Sequence, residues 1–423
     1  MTETAASINP ALLADAMQRV EGPHWLADQR QAALRRFQES GLPGPRDEDW
    51  RYTRLDYLAR QPLHTPLDQP APPLPIEAYP GILMAFLDNQ LIWHDSRLPP
   101  DQLADLADAP ASIRDRLGSL AGDSSLVMLN DALWREGALL QVPARERLRQ
   151  PVFLRFAASQ ADTMLHPRVL VLMEPDSDAI LVEHFHADTQ APHWQNSVTE
   201  VVLEAGARLT HIRLVENGNA SHTHLAAVHQ ERDSQYRALT LTLGGRVVRH
   251  DLRVSLAGIG AEARLDGLFI ADGRRHADHH LLIGHDAPRT RSRMLWRGLA
   301  ADRGRGIFDA RVVIGHEARQ AEAHQSSRNL LLSPHAEIDA RPHLEIYTDD
   351  VKCGHGATVG RLDEAALFYL TSRGIDAATA REMLLAAFAG EALALADAAG
   401  LRGWLQGRID AHLPGLTLEA ARS

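Results

Sequence analysis

The sequence contains a single cysteine, Cys353, among 423 residues. No intrachain disulfide can form, which points to a reducing compartment. Structural zinc sites built on two or more thiolates are excluded, and so is an iron–sulfur site drawing all four thiolates from one chain. Aromatic residues make up only 5%, so the core must be built from Leu, Val, Ile and Ala. No apolar run approaches the length of a membrane-spanning helix. Met1 to Asp15 lacks a charged segment followed by an apolar one, so a cytoplasmic location is expected. No G-x-x-x-x-G-K-[ST] occurs, so the chain is not expected to hydrolyse ATP, and no G-x-S-x-G elbow supports an α/β-hydrolase. A net charge of −11 disfavours nucleic acid and anionic membranes as partners.

What is present falls into four stretches. Residues 1–80 read as a helical region ending in a Pro-rich linker over 62–80: Leu13, Met17 and Val20, then Leu26, Leu34 and Phe37, fall at helical spacing, and Gly41 to Pro45 stops the second run. Asp47 to Thr53 reads as an acidic cap before a helical turn, with Trp50 and Tyr52 packing inward. Residues 81–150 read as a mixed α/β cover, with a strand pair at 81–87 and 90–93 and helices at 112–120 and 126–136. Residues 151–360 carry short apolar runs separated by Gly, Asp, Asn or Pro. In the later part these runs start at Gly267, Leu281, Met294, Val312, Leu330 and Leu344, a loose but recurring interval. Each suits a strand, and their repetition through this long region favours a β-solenoid over a sandwich. Residues 361–423 read as a helical domain, with Gly374 as a C-terminal cap and Asp376 as an N-terminal cap. Its apolar faces pack on the protein's own core or dock a partner.

The stretch Pro342-His-Leu-Glu-Ile-Tyr-Thr-Asp-Asp-Val-Lys-Cys-Gly-His-Gly-Ala-Thr-Val-Gly360 resembles the signature of the SufB/SufD family. Leu362-Asp-Glu364, Phe368-Tyr-Leu370 and Ser372-Arg-Gly-Ile375 continue it, and Asp49-Trp-Arg-Tyr-Thr53 resembles an element near the start of the SufD branch. SufB proteins are usually longer and carry several cysteines, so the resemblance is to SufD. It implies a mainly β fold: a right-handed parallel β-helix core with helical N-terminal and C-terminal parts. It implies a non-enzymatic scaffold for iron–sulfur cluster assembly in a SufBCD complex. SufB would be met at the β-helix edge, and the SufC ATPase through the C-terminal helices. In isolation a homodimer is the state open to it.

On a strand, residues i and i+2 share a face, so Cys353 and His355 are expected side by side. Thiolate and imidazole both ligate iron in iron–sulfur centres. Two ligands make half a site, so a transient cluster or iron shared with SufB is expected rather than a cofactor held by this chain alone. His355 is the stronger candidate, since the family implicates the matching position in cluster assembly. Lys352 is expected to favour the Cys353 thiolate, and Gly354 and Gly356 to leave room for another chain. Tyr347, Asp349 and Asp350 are expected near the same edge.

Other signals weigh less. His184 and His186, His222 and His224, and His276 and His280 each place two imidazoles on one strand face, but none has a third ligand of defined position. Gly258 to Ala263 matches a relaxed dinucleotide pattern yet leads into a strand, so it reads as a turn. The rival function is a β-helix polysaccharide lyase or hydrolase using Glu345, Asp349 and Asp350.

Overall fold

A computed structural model of the protein describes residues 8–19, 24–44, 47–68, 78–187 and 191–418. Val20, Pro45, and residues 69–77 of the expected linker lie outside the described residues. Helices α1 (Pro10–Arg19), α2 (Ala27–Ser40), α3 (Ala111–Arg114) and α4 (Ser125–Leu133) lie in the N-terminal third. Gly41 ends α2 at φ 69°, a conformation that costs glycine nothing. Leu13, Phe37, Leu129 and Leu133 pack into one apolar cluster with Trp194.

Two ten-stranded sheets follow. The front sheet contains β1 (Ile82–Leu87), β2 (Gln90–His94), β5 (Val152–Ala158), β8 (Asp178–Ala187), β10 (Arg208–Glu216) and β12 (Gln235–Thr242). It continues with β14 (Glu262–Ala271), β16 (Arg291–Ala300), β18 (Ala321–Leu331) and β20 (Val351–Gly360). The back sheet contains β3 (Leu103–Asp105), β4 (Ala138–Val142), β6 (Met164–Leu165), β7 (Arg168–Met173), β9 (Trp194–Leu203) and β11 (Ser221–Gln230). It continues with β13 (Val247–Leu256), β15 (His276–His285), β17 (Arg305–Ile314) and β19 (Glu337–Ile346). Consecutive long strands alternate between sheets, and within each sheet they pair in parallel. This is a parallel β-solenoid of about eight turns. The apolar runs that recur from Gly267 to Leu344 are therefore half-turns. Arg208 pairs with Gln235, Gln235 with Glu262, Glu262 with Arg291 and Arg291 with Glu322, so successive turns differ slightly in length. The segment 81–150 contributes β1 and β4 to the two sheets in parallel with β5 and β7, and its helices are shorter than expected.

One corner of each turn is a left-handed residue: Asp176, Gly206, Asp233, Gly260, Arg289 and Gln320 recur at φ between 56° and 74°. Each donates its N–H to a carbonyl of the next turn, as Gly206 does to Arg232 and Gly260 to Pro288. The Gly258–Ala263 stretch is such a turn.

Inward side chains interlock between the sheets. Phe86, Phe156 and Phe185 stack across three front strands at 5.0 and 5.3 Å. Midway along, this apolar filling gives way to polar groups. Glu183, His211 and Arg213 from the front sheet face Ser197, Thr199, His222, His224, His250 and His279 from the back, all buried. His224, His250 and His279 are register partners, with rings 5.1 and 6.0 Å apart. Ser197 Oγ lies 2.7 Å from His224 Nδ1, and Thr199 donates to Glu183 at 2.7 Å. Burial drives His222, His224 and His250 well below the usual histidine range, and the Arg213 charge adds to this.

Helices α5 (Glu364–Ser372), α6 (Ala377–Gly390), α7 (Ala394–Ala398) and α8 (Arg402–Leu418) close the chain. Asp363 and Asp376 cap α5 and α6 through their side chains, and Gly374 takes φ 89° between them. Leu385, Leu393, Leu395 and Leu405 bury against Val182, Leu214, Leu241 and Leu268 on the outer front sheet. Burying each such leucine is worth about 1.5–3 kcal/mol, so 361–423 shares a core with the solenoid. Helix α5 is the exception, since it buries none of its residues. No helix among the described residues is long and apolar enough to cross a membrane.

Candidate functional site

The two ends of the solenoid differ. At the N-terminal end, antiparallel β2 and β3 cover the sheet edges. At the C-terminal end, β20 and β19 are the last strands of their sheets, each ten residues long. Long edge strands expose rows of backbone donors and acceptors and invite pairing.

Cys353 and His355 lie on β20, opposite Ala323 and Gln325 of β18. Ala323 and Gln325 are buried inward residues, so Cys353 and His355 share the inward face of the last turn, as their spacing predicts. Cys353 is half-buried against the core, while His355 is exposed. Gln325 beneath His355 donates to the His343 carbonyl at 3.0 Å, tying β18 to β19 across the interior. Among the described residues, a Cβ at Gly356 would meet nothing within 4 Å, and one at Gly354 only His324 at 3.7 Å. The backbone beside His355 is thus open to close approach.

The expectation for Lys352 is corrected. It lies on the opposite face of β20, with Nζ 3.4 Å from Glu322 and its side chain 79% exposed. Burial instead raises the Cys353 thiol above its usual value, partly offset by a hydrogen bond from the Ala323 backbone. Tyr347, Asp349 and Asp350 sit in the exposed turn between β19 and β20, and the Asp350 carbonyl accepts from Gln320 at 2.6 Å. Glu345 faces Arg311 at 3.5 Å. Among the described residues, no third donor joins Cys353 and His355 in a metal-sized cluster.

The family model for the SUF system FeS cluster assembly, SufBD core domain, matches residues 156–388. The chain belongs to the SufB/SufD family. It is 29% identical to the iron–sulfur cluster assembly protein SufD of Escherichia coli, over 92% of this chain and 93% of that protein. It is 30% identical to an iron–sulfur cluster assembly SufBD family protein of Synechocystis, over 90% of each chain. It is 26% identical to Bacillus subtilis SufD, over 91% of this chain and 93% of that one. These matches lend the lyase reading no support.

Two features of this SufBD-family chain escape sequence reasoning. Phe368, Tyr369 and Met383 are 73%, 57% and 47% exposed on α5 and α6. Sequence alone gives them as apolar helix residues, and nothing in their spacing marks them as uncovered. The Asp49–Thr53 element does more than pack inward: it pins the N-terminal region to the outer back sheet. Arg249 stacks on Trp50 at 4.5 Å, Arg305 and Arg341 approach Tyr52 at 5.7 and 5.4 Å, and Thr53 hydrogen-bonds Asp278.

Proposed function

We propose that the chain is the SufD-type scaffold of a cytoplasmic SufBCD complex, not an enzyme. Its uncovered last turn pairs with SufB, and the exposed face of α5 and α6 docks SufC. His355, with Cys353 secondary, supplies ligands to an iron–sulfur cluster built across the SufB joint. The cluster is cargo. The observation that carries this reading is the pairing of two unprotected ten-residue edge strands with an inward Cys353–His355 pair that the last turn leaves half open. A thiolate and an imidazole on one edge are useful to iron only when a second chain adds donors. Energy comes from ATP hydrolysis by SufC.

The test is co-expression with SufB and SufC, followed by anaerobic iron and sulfide analysis. His355→Ala should leave the complex assembled and lower cluster yield at least tenfold, with Cys353→Ser milder. Normal maturation by a His355→Ala complex of unchanged stability removes the site assignment. Phe368→Ser with Met383→Ser should weaken SufC binding and leave SufB pairing intact. These surface variants are better probes than truncation after Gly374, which would strip the cover from Val182, Leu214, Leu241 and Leu268.

A further inference from the structure

On the outer front sheet, His184 and His186 share one face of β8, and Glu216 of β10 is the register partner of His186. One ligand atom from each lies within 4.8 Å of the other two. His184 Nε2 is 2.9 Å from Glu216 Oε2, and its Nδ1 is held by the Tyr79 hydroxyl at 2.8 Å. A ligating imidazole is ordinarily fixed in this way, by a hydrogen bond at its second nitrogen. Helix α8 crosses the cluster. The Trp404 ring stands edge-on to His184 at 6.0 Å, and Arg408 Nη1 lies 2.5 Å from Glu216 Oε2.

Two imidazoles and one carboxylate are a donor set for first-row divalent cations such as Zn2+ or Fe2+, and a poor one for Mg2+ or Ca2+. Coordination at about 2.0–2.2 Å needs the donors to close in by side-chain rotation alone, because the backbone register already sets them on one face. The obstacle is Arg408, whose charge meets the carboxylate where a cation would.

We propose that His184, His186 and Glu216 form a divalent transition-metal site, and that Arg408 of α8 occupies the cation's place at Glu216, so that metal binding and this latch exclude one another. The site is separate from the Cys353–His355 end. Six strand spacings along the front sheet, roughly 29 Å at about 4.8 Å each, lie between β8 and β20. It therefore stands or falls independently of the partner reading. Metal binding would loosen the middle of α8 while Leu405 and Ile409 keep their apolar contacts.

The test uses the full chain carrying Cys353→Ser, so that no thiol competes, stripped with chelator and titrated with Co2+ and then Zn2+. One Co2+ per chain is expected, with visible bands of a nitrogen and oxygen ligand set that Zn2+ abolishes. His186→Ala and Glu216→Gln should each weaken binding on the order of 100-fold. Arg408→Gln should tighten it about tenfold or more, the scale of one near-surface charge interaction. Hydrogen exchange over 402–418 should rise on metal addition. Equal Co2+ uptake by the His186→Ala/Glu216→Gln double variant overturns the site. Unchanged affinity in Arg408→Gln overturns the exclusion. Glu216→Gln keeps side-chain volume, so it serves if His186→Ala fails to fold.

Discussion

Lowering the pH from 7.5 to 5.5 should destabilise the solenoid from its interior. His166, His222, His224, His250, His279 and His285 are all held below the usual histidine range, mainly by burial. His166 and His279 fall to about 3 and His285 to about 4. Arg213 adds to the depression at His222, His224, His250 and His279. The unfolded chain protonates these groups near pH 6.5 and the folded chain does not, so stability is full above that pH and falls below it. Each group removes about 1.4 kcal/mol for each pH unit below 6.5. Six together remove about 8 kcal/mol at pH 5.5, against a typical domain stability of about 5–15 kcal/mol. Asp105, Asp131, Glu136 and Asp266 are raised by burial and offset part of this slope. Glu183, Glu216 and Asp278 are lowered and stay charged across the window. Urea midpoints at pH 7.5, 6.5 and 5.5 should therefore drop steeply in the last interval. His250→Leu should flatten the dependence by one proton, about 1.4 kcal/mol per pH unit. Equal midpoints at pH 7.5 and 5.5, or an unaltered slope in His250→Leu, would refute neutral burial of the column.

Glu200 and Arg168 are both fully buried and 2.7 Å apart, and Glu200 also accepts from the backbone at Gly118, Leu120 and Ala121. Glu200→Ala should cost about 3–5 kcal/mol in chemical denaturation, because the N–H groups of Gly118, Leu120 and Ala121 lose their acceptor and, among the described residues, buried Arg168 keeps only Asp131, at 2.9 Å, as a carboxylate partner. Gly304→Ala would set a Cβ 2.0 Å from the Ala271 carbonyl oxygen. It should lower the thermal midpoint by several degrees, equivalent to about 1–3 kcal/mol of overpacking. Asp376→Ala removes the N-cap of α6 and should fray its first turn, seen as faster hydrogen exchange over 377–381 with the rest of the helix unchanged.

The strands were legible because turn residues bound each apolar run, and the recurrence of those runs from Gly267 to Leu344 pointed to a solenoid. The exact period stayed hidden for two physical reasons. Turn length varies with the corners, and the left-handed corner position is filled by Gly in some turns and by Asp, Arg or Gln in others. Inward positions are also polar where His224, His250 and His279 line up in register, which breaks the apolar alternation. The shared face of Cys353 and His355 followed from parity along a strand. The same parity places Lys352 on the other face, and sequence proximity alone had joined it to the thiol. Glu216 was invisible as a third donor for His184 and His186, because it lies one full turn away and only the strand register brings it beside them.

The raised thiol of Cys353 constrains how the open end can work. The side chain is already half-buried, and a partner turn laid over β19 and β20, as proposed, would remove more water from it. Desolvation disfavours the thiolate, so covering the end with protein alone makes Cys353 a poorer nucleophile and a poorer ligand. A metal cation reverses the balance, since a coordinating thiol is deprotonated outright. His355 is exposed, so a donor at that position meets no comparable desolvation barrier. On the proposed reading, iron bound at this end would therefore meet His355 first, with Cys353 joining only once the cation is within reach. Under anaerobic conditions the pH dependence of iron uptake by the co-expressed complex should then show one more proton released in wild type than in Cys353→Ser, while His355→Ala weakens uptake in both; equal proton release in wild type and Cys353→Ser would refute thiolate ligation.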